Sequence, residues 1–470
     1  MIDELGPYPA YQDSGVAWLG EVPEHWELRR VKQAFRRIVG GSTPSTAEAS
    51  YWDGDVVWVT PYDVSRAERL SQSQRRITRE GLASCSSELV PPPTLIVTSR
   101  APVGNVAMAL VAVCTNQGCK ALVVDDRITN PVFGFHVLRM LKPELQSLAT
   151  GTTFTEISTS KLGSVPIPVP PLPEQAAIVR FLDHADRRIR RYIAAKKTLI
   201  ALLNEQKQAI IHRSVTRGLD PDVHFKPSGV EWLGDVPEHW NVVRTRYVLR
   251  EVDSRSTGGE ETHLSMSQKL GLVPSSMLEQ HTLVSESYAG GKLCEAGDLV
   301  LNRLKAHLGV FALASQSGVI SPDYTVLRQI HPLSMRYCEL IFRSPAFRGE
   351  LRIRAKGIVE GFWRLYTDDF YDIRIPLPPL MEQEHIIAEV ESELTRNEAA
   401  ARGAEREISL LHEYRTRMIA DVVTGKLDVR EAAAQLPEEV EPLEAADALL
   451  DGDESEDEAD LDTVAGESVA

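Results

Sequence analysis

Polar and apolar residues alternate with helical spacing over two long stretches of this chain, residues 174–217 and 382–425. The positions that recur every three or four residues are Ile178, Leu182, Ala185, Ile189, Tyr192, Leu199, Leu203 and Ile210, and then Ile386, Val390, Asn397, Ala400, Ala404, Leu411, Tyr414 and Met418. This spacing is typical of a coiled-coil seam, and a proline-rich bridge before each stretch excludes helix there. We therefore predict two helices of about 40 residues, roughly 60 Å long at ~1.5 Å per residue.

Short apolar runs bounded by turn residues occupy the segments outside these helices. They are residues 56–59, 95–97, 106–113, 121–124, 299–301, 310–314 and 324–327. Runs of this length and composition favour β-strands. The pattern therefore predicts two mixed α/β regions, one before each long helix.

The chain contains two copies of the same landmarks. Residues 15–26 (GVAWLGEVPEHW) recur as residues 229–240 (GVEWLGDVPEHW), and residues 168–175 (PVPPLPEQ) recur as residues 376–383 (PLPPLMEQ). The regions between the landmarks, about 27–165 and 241–373, show little likeness to each other. A repeated scaffold that carries two different inserts indicates two related tasks with different specificities.

Charge is distributed unevenly along the chain. The formal net charge is −16, but residues 431–470 hold 15 of the 67 acidic residues and no lysine or arginine, so the remainder is close to neutral. We predict that this tail is disordered, and that it serves either as a solubilising segment or as a DNA mimic that competes for a basic groove. The first helix is basic and the second acidic, which favours pairing with each other over two unpaired helices with solvated charged faces.

Composition and motifs argue against several function classes. The most apolar run, residues 106–114, is far shorter than the about 20 residues of a membrane span, so a cytoplasmic location is expected. Five cysteines without CxxC spacing favour reduced, mostly buried thiols over disulfides or zinc. Because the sequence lacks GxxxxGK[ST] and HExxH, we predict no catalysis, no cofactor and no metal.

Two short motifs are weak catalytic candidates. Asn130-Pro131-Val132-Phe133 is similar to the NPPF of amino-methyltransferases, but Val132 replaces the second proline and no glycine-rich cofactor loop accompanies it. Pro322-Asp323 could open a metal-nuclease motif, yet no suitably spaced acidic-x-Lys follows. We expect no catalysis at the first motif and a turn between strands at the second.

Over nearly its whole length, apart from the tail, the chain resembles the specificity subunits of type I restriction–modification systems. In the first half the motifs that carry this likeness are Gly40-Gly41-Ser42-Thr43-Pro44, Tyr51-Trp52, Trp58-Val59-Thr60, Ser99-Arg100-Ala101, Val103-Gly104, Asn116-Gln117-Gly118 and Gly151-Thr152-Thr153. In the second half they are Gly297-Asp298-Leu299-Val300-Leu301-Asn302-Arg303, Ser321-Pro322-Asp323-Tyr324 and Asp368-Asp369-Phe370. Their order and their duplication make the match strong.

The resemblance implies an α+β fold of two mixed α/β target recognition domains separated by two long antiparallel coiled-coil helices, with a pseudo-two-fold internal repeat and a disordered acidic C-terminal tail. The implied recognition domains are residues 1–165 and 218–374, each proline bridge with its helix spans residues 166–217 or 375–430, and the tail is residues 431–470.

The same resemblance implies a non-catalytic subunit that acts in phage defence. Each recognition domain reads one half of a bipartite site in double-stranded DNA. The helix pair sets the spacing and docks two modification (methyltransferase) subunits, which restriction (motor-nuclease) subunits join. The subunit thereby directs adenine methylation and, with the nuclease, restriction.

Side chains that contact DNA are expected in the loops of the two recognition domains. Lys and Arg contacts to phosphate supply affinity, and Arg, Lys, Asn or Gln at base edges supply specificity. The candidate DNA-binding residues are Ser42, Thr43, Arg100, Asn116, Gln117, Lys120, Thr153, Gln268, Lys269, Asn302, Arg303, Lys305, His307, Lys356 and Arg364. For each residue, a turn-stabilising or surface role is the alternative.

The duplicated histidines and tryptophans have a structural interpretation. His25 and His239 occur in two domains of different specificity, so we expect packing at these positions, without base reading or metal binding. The tryptophans predicted to anchor the entry strand of each domain, with partner contact as the alternative, are Trp18, Trp26, Trp232 and Trp240. For the whole chain, the alternatives are a DNA-binding module of another defence or regulatory system and a coiled-coil scaffold that never touches DNA.

Overall fold

The computed structural model describes residues 5–150, 155–267, 270–278, 288–356 and 363–437. These residues divide into two compact units. Unit 1 comprises residues 5–193 and 408–437, and unit 2 comprises residues 194–407. None of the helices in the described ranges combines the length and hydropathy that a membrane span requires.

Unit 1 is a mixed α+β body. Its strands are β1 (Tyr11–Asp13), β2 (Glu21–Pro23), β3 (Glu27–Arg30), β4 (Phe35–Gly40), β5 (Trp52–Val59), β6 (Arg69–Leu70), β7 (Arg76–Ile77), β8 (Thr94–Thr98), β9 (Val106–Ala109), β10 (Val113–Thr115), β11 (Cys119–Val124) and β12 (Pro166–Val169). Its helices are α1 (Val31–Ala34), α2 (Pro61–Arg66), α3 (Arg79–Ala83), α4 (Pro131–Met140), α5 (Lys142–Leu148), α6 (Thr159–Ser164), the first part of α7 (Leu172–Arg217), the last part of α11 (Leu380–Val423) and α12 (Arg430–Gln435).

The centre of unit 1 is a five-stranded sheet in the order β4-β11-β8-β9-β6, in which β6 and β9 alone run parallel to each other. A second sheet has the order β10-β5-β7. The prediction of one strand over residues 106–113 is wrong, because the chain bends between Ala109 and Val113. The backbone N–H of Leu110 bonds to β6 and that of Val113 bonds to Val90, so β9 and β10 join different sheets.

Unit 2 is also mixed α+β. Its strands are β13 (Phe225–Pro227), β14 (Asp235–Pro237), β15 (Asn241–Arg244), β16 (Leu249–Val252), β17 (Leu264–Ser267), β18 (Gly271–Pro274), β19 (Lys292–Cys294), β20 (Leu299–Asn302), β21 (Phe311–Leu313), β22 (Gly318–Ile320), β23 (Tyr324–Gln329) and β24 (Arg374–Leu377). Its helices are the rest of α7 and α11, together with α8 (Met335–Arg343), α9 (Pro345–Arg354) and α10 (Thr367–Tyr371).

An antiparallel sheet of order β16-β23-β20-β21 forms the centre of unit 2. Aromatic rings fill the space between this sheet and the short helices. Phe342 stacks on Phe347 with ring centroids 4.6 Å apart, and Phe311 lies 5.0 Å from Phe342. All three are at most 3% exposed, so this core gives the neighbouring loops a rigid base.

The two long helices pack against each other, as predicted. In unit 2 the Nζ atom of Lys196 lies 2.7 Å from Glu407 Oε2, and the Nζ atom of Lys207 lies 2.8 Å from Glu398 Oε1. Numbers rise along one helix as they fall along the other, so the helices are antiparallel there. In unit 1, Arg415 of α11 pairs with Asp186 of α7.

The predicted seam is correct in part. Ile178, Leu182, Ala185 and Ile189 are at most 5% exposed, whereas Tyr192, Leu199 and Tyr414 are 40–53% exposed. A seam that repeats every 3.5 residues drifts by roughly 20° per heptad around a straight helix of about 3.6 residues per turn. The buried face therefore moves to Ile193 and Ala194, which are 3% and 7% exposed.

The predicted start of the disordered tail at residue 431 is wrong. Residues 430–435 form α12, in which Ala433 is buried, and Val429 before it is completely buried. The Nη2 atom of Arg180 donates to the carbonyl oxygens of Leu436 and Pro437. Apolar side chains at 429 and 433 thus hold this segment to unit 1. The disorder of residues 438–470 stays a prediction, because they lie outside the described residues.

Candidate nucleic-acid interface

Loops from three distant parts of the sequence meet at one place in unit 1. The backbone N–H of Ser42 donates to the carbonyl of Thr115, and Thr43 Oγ1 donates to Gln117 Oε1 at 2.6 Å. The N–H groups of Ser99 and Arg100 both donate to the carbonyl of Gly118. We call the residues that converge here the unit 1 loop cluster: Ser42, Thr43, Arg100, Asn116 and Gln117.

Local conformation explains why the chain can approach itself so closely here. A Cβ atom on Gly41 would lie 2.0 Å from the carbonyl oxygen of Thr115, so only glycine fits. Asn116 closes the opposite loop, since its Oδ1 accepts from the N–H of Gly118 at 2.9 Å. Thr43 and Asn116 are partly exposed and Gln117 is exposed, so the cluster offers neutral hydrogen-bonding groups to solvent.

Arg100 of the cluster and the two remaining candidates of unit 1 have different surroundings. Arg100 Nε donates to Glu156 Oε2 at 2.9 Å, and both side chains are partly exposed. Lys120 is 9% exposed and lies beside Gly40, so it belongs to the edge of the core more than to the surface. Thr153 lies outside the described residues.

A second group of predicted residues meets around Asp323 in unit 2. Arg303 Nε donates to the carbonyl of Asp323 at 3.0 Å, and Arg364 Nη2 donates to Asp323 Oδ1 at 2.6 Å. Asn302 Oδ1 accepts from the N–H groups of Leu304 and Lys305, which caps the short 3-10 helix Arg303–Leu308. The unit 2 loop cluster is therefore Asn302, Arg303, Arg364 and Asp323, and it is cationic.

The remaining candidates of unit 2 are more scattered. Lys356 Nζ lies 2.8 and 2.7 Å from the two carboxylate oxygens of Asp369, and its backbone pairs with Arg364. The side chain of Lys305 is partly exposed. Gln268, Lys269 and the His307 side chain lie outside the described residues.

A largely buried ion pair lies near Arg303 of the unit 2 loop cluster. Lys292 is 2% exposed and donates to Glu251 Oε1 at 2.9 Å, while Thr367 Oγ1 donates to Glu251 Oε2 at 2.7 Å. Burial raises the pKa of Glu251. These two hydrogen bonds and the nearby cations lower it by more, so the pKa lies below its usual value. Glu251 is therefore ionised at neutral pH, with its charge compensated.

The duplicated landmarks make the same contacts in both units. In unit 1, His25 Nε2 lies 2.8 Å from Glu174 Oε2 and Trp26 Nε1 donates to Glu174 Oε1 at 2.9 Å. In unit 2, the corresponding distances from His239 and Trp240 to Glu382 are also 2.8 and 2.9 Å. These contacts join the strand entering each unit's globular part to the start of a long helix, and they confirm the predicted structural role of the histidines.

The other duplicated tryptophans, Trp18 and Trp232, are partly buried, and Trp232 packs edge-on against Phe347 with ring centroids 5.5 Å apart. The glutamates at 174 and 382 were not among the predicted functional residues. The signal that could have found them is present, because the duplicated Glu-Gln pair accompanies the duplicated His-Trp pair.

The motifs considered for catalysis have structural roles. Asn130 Oδ1 accepts from the N–H groups of Val132 and Phe133 and so caps α4. Pro322 and Asp323 lie in the predicted turn between β22 and β23. Within the described ranges no group of three His, Cys, Asp or Glu side chains is arranged to hold a metal. The five cysteines are free thiols, and all except Cys85 are buried, as predicted; burial raises the pKa of Cys114 to about 12.

Comparison with known proteins links this arrangement to one family. Residues 23–200 match the family model of the type I restriction modification DNA specificity domain. The chain is 25% identical over 441 residues to the type I restriction enzyme MjaIX specificity subunit of Methanocaldococcus jannaschii, covering 88% of this chain and 96% of that one. It is 19% identical to the EcoKI specificity subunit of Escherichia coli K12, covering 92% of this chain and 95% of the relative.

Solved structures show the same fold. A chain from a study of complex assembly and conformational transition of the type I R-M system aligns with a TM-score of 0.62 and 18% identity, covering 86% of this chain and 99% of that chain. The HsdS subunit from Thermoanaerobacter tengcongensis aligns with a TM-score of 0.51 and 17% identity, covering 86% of this chain and 98% of the subunit. These matches support the interpretation of the chain as a specificity subunit of a type I restriction–modification system.

Proposed function

We propose that this chain reads a bipartite site in double-stranded DNA and holds two modification subunits on it, without catalysing a reaction itself. The observation that carries the proposal is that one anchor contact, at the same distances, occurs in both units although their loop clusters differ. A scaffold shared by two domains whose loops differ suits a protein that recognises two different half-sites.

The recognition domains of the proposal are residues 1–165 and 218–374, with the bridges and helices at 166–217 and 375–430. The acidic tail is revised to residues 438–470. Residues 431–437 are assigned to unit 1, because α12 packs against that unit.

The unit 1 loop cluster suits direct base reading. Gln117 accepts from Thr43 through Oε1. The two N–H donors of its Nε2 amide group are not used in this contact. Such an amide recognises adenine or guanine acceptors in the major groove. Arg100 would exchange its exposed partner Glu156 for a phosphate or a guanine edge when DNA arrives.

The unit 2 loop cluster suits a mixture of phosphate and base contacts. Arg303 and Arg364 are both held by the turn at Asp323, which orients their guanidinium groups before binding. Lys356 is paired with Asp369 and would bind phosphate by exchanging that carboxylate. Because both ion pairs are partly exposed, the exchange costs little.

Docking of modification subunits is supported by exposed apolar residues on the long helices. Tyr192, Leu410 and Tyr414 are 40–62% exposed in unit 1, and Leu199 and Leu202 are 41% and 55% exposed in unit 2. Apolar side chains gathered on an exposed helix favour contact with a partner. The directed reactions would be adenine methylation and, with motor-nuclease subunits, restriction.

The proposal is tested by mapping methylated adenines in DNA from cells that express the chain with its modification subunit. Single-molecule sequencing should reveal two unlike half-sites at one fixed separation, and no methylation when either subunit is absent. Methylation by this chain alone would contradict its non-catalytic role. Binding without any directed methylation would favour a regulatory DNA-binding module, and absence of DNA binding would favour a scaffold.

The spacing role of the helices has its own test. Fourteen residues, which is two heptads, are inserted into each helix. The insertion follows Lys196 in α7 and precedes Glu407 in α11, because these positions face each other. At ~1.5 Å per residue the pair lengthens by roughly 21 Å, or up to about 6 base pairs at ~3.4 Å each. The half-site bases should persist, with either a longer separation or loss of methylation. The same 14 residues added after Pro437 serve as the control, and methylation by the helix variant at the original spacing would contradict the role.

A further inference from the structure

A run of arginines leads away from the unit 1 loop cluster. Gly118, next to Gln117, touches the start of α2, since a Cβ on Gly118 would lie 2.9 Å from Pro61 Cγ. Helix α2 ends at Arg66, and Arg69 begins β6 three residues later. The side chains of Arg66 and Arg69 are exposed, so positive charge continues outward from the cluster.

The run continues onto the first part of α7. Asp183 lies near both Arg69 of β6 and Arg187, one turn along α7; burial raises the pKa of this carboxyl, and the two arginines partly oppose that rise. Arg188 follows Arg187 and is exposed. Burial and the charges of Arg187 and Arg188 both lower the pKa of His184, one turn earlier. We call Arg66, Arg69, Arg187 and Arg188 the arginine track.

The neighbouring carboxylates do not neutralise this track. Glu68 pairs with Arg139, and Asp186 pairs with both Arg190 and Arg415. Asp183 therefore remains as the carboxylate near Arg69 and Arg187, and one carboxylate beside four guanidinium groups leaves an excess of positive charge on the surface. Tyr62, 45% exposed, supports Arg66 because the guanidinium carbon lies 4.5 Å from the ring centroid.

We infer that the arginine track binds the phosphate backbone of the DNA beside the half-site, independently of its sequence. This inference rests on the proposed function. It identifies residues of the same DNA interface that bind phosphate and do not recognise bases. Helix α2 followed by three extended residues can span at most roughly 20 Å. That upper limit corresponds to about 6 base pairs of duplex at ~3.4 Å each. Arginine suits this task because its planar fork binds phosphate oxygens in pairs.

The test measures how binding of the full chain depends on salt. Each lost phosphate contact reduces the slope of log K against log salt concentration by about 0.9. The variant Arg66→Gln, Arg69→Gln, Arg187→Gln, Arg188→Gln should lower the slope by roughly 2–4 and weaken binding at least tenfold at ~0.1 M salt. Two duplexes are used, one with the mapped site and one scrambled, and both should weaken by the same factor.

Matched variants separate charge from folding. The four Arg→Lys changes keep the charge and should keep a slope close to that of the unchanged chain. Arg79→Gln with Arg417→Gln, at positions outside the track that are 87% and 86% exposed, should leave the slope unchanged. Circular dichroism and thermal unfolding verify that every variant is folded.

Each other outcome has a distinct meaning. If the unchanged chain binds neither duplex, the proposed function fails. If it binds and the Arg→Gln variant keeps the full slope, or weakens only on the specific duplex, the inference fails alone. If that variant binds DNA normally but no longer co-purifies with the modification subunit, the track is an acidic-protein interface and the inference is overturned.

Discussion

Single carboxylates hold the entry strand of each unit to its long helix. Glu174 and Glu382 accept from the same pair of residue types, yet the Glu174 side chain is 6% exposed and that of Glu382 is 28% exposed. A buried donor that loses its acceptor costs about 1–3 kcal/mol, and water relieves that cost where it can enter. Loss of the carboxylate should therefore reduce the free energy of unfolding more at Glu174 than at Glu382.

We predict that Glu174→Ala destabilises its unit more than Glu382→Ala destabilises the other. The expected loss is about 2–3 kcal/mol for Glu174→Ala and about 1 kcal/mol for Glu382→Ala. Urea unfolding followed by tryptophan fluorescence measures both, with Glu21→Ala, an exposed position, as the control. Equal losses, or a larger loss at Glu382, would contradict the argument from burial.

His136 gives a prediction for acid conditions. Burial lowers its pKa from 6.5 to about 4, and its Nδ1 is buried without a partner in the described part of the chain. The unfolded chain therefore takes up this proton at a higher pH than the folded chain. Stability is complete above pH 6.5 and falls as pH drops toward about 4.

The change His136→Gln should remove part of that loss, on the order of 1–2 kcal/mol at pH 4.5. Thermal unfolding between pH 7.5 and pH 4.5 provides the measurement. His331→Gln, at an exposed loop position, is the matched control and should follow the unchanged chain. A parallel pH profile for His136→Gln would show that this histidine does not titrate as described.

Turn chemistry made part of the site predictable at the residue scale. The glycines beside Ser42 and Gln117 marked loops, and the structure brings those loops together although they are 74 positions apart. The partners of Arg364 and Lys356 were not predictable, because the ion pairs with Asp323 and Asp369 depend on tertiary packing. Lys120 was predicted in or near a loop but lies in β11, where residues 119–123 are all buried and both faces of the strand are covered.

At the scale of elements, ion pairs between the long helices differ in exposure. Asp186 and Arg415 are each 25% exposed, whereas Lys207 and Glu398 are 32% and 49% exposed. Exposed pairs contribute about 0.2–1 kcal/mol, and screening by water decreases as burial increases. Asp186 also binds Arg190, so its loss leaves two arginines without that carboxylate.

We predict a larger coupling energy for Asp186–Arg415 than for Lys207–Glu398. Double-mutant cycles with alanine should give about 1 kcal/mol for the first pair and at most ~0.5 kcal/mol for the second. The exchange Asp186→Arg with Arg415→Asp should recover part of the coupling. Indistinguishable coupling energies would show that exposure does not control these pairs.

Helix boundaries were predictable because proline and the apolar period mark them. The predicted helices at 174–217 and 382–425 differ from α7 and α11 by two residues at most. The faces of those helices were less predictable, since Tyr192 and Leu199 fit the period but are exposed, while the buried face has moved to Ile193 and Ala194. The run at 106–113 failed for a related reason: composition marks strands without revealing which sheet they join.

At the scale of the whole molecule, the end of the chain separates into a packed part and an acidic part. Removing residues 438–470 should leave the unfolding temperature unchanged. Removing residues 431–470 also deletes α12 and the two carbonyl acceptors of Arg180, and should lower that temperature by about 2–4 °C per kcal/mol lost. Scanning calorimetry of both truncations measures the difference, and identical melting would contradict the packing of α12.

The shorter truncation also tests the predicted role of the acidic residues. If they mask basic surface, removing residues 438–470 should tighten binding to random DNA at low salt, with the difference fading as salt increases. A tail with its acidic residues replaced by Gln and Asn is the matched control and should behave like the truncation. Unchanged affinity at low ionic strength would remove the masking role.

The division of unit 1 between residues 5–193 and 408–437 has a consequence for synthesis on the ribosome. Unit 2 is one continuous stretch and can finish folding as it emerges, but unit 1 lacks its last helix segment until the end of translation. At roughly 5–20 residues per second, the wait for about 240 residues lasts on the order of 12–50 s. During that time the apolar face of Ile178, Leu182 and Ile189, buried in the finished unit, has no α11 to cover it. The nascent chain should therefore need a chaperone over this interval, and a rare-codon pause before residue 408 should increase its aggregation.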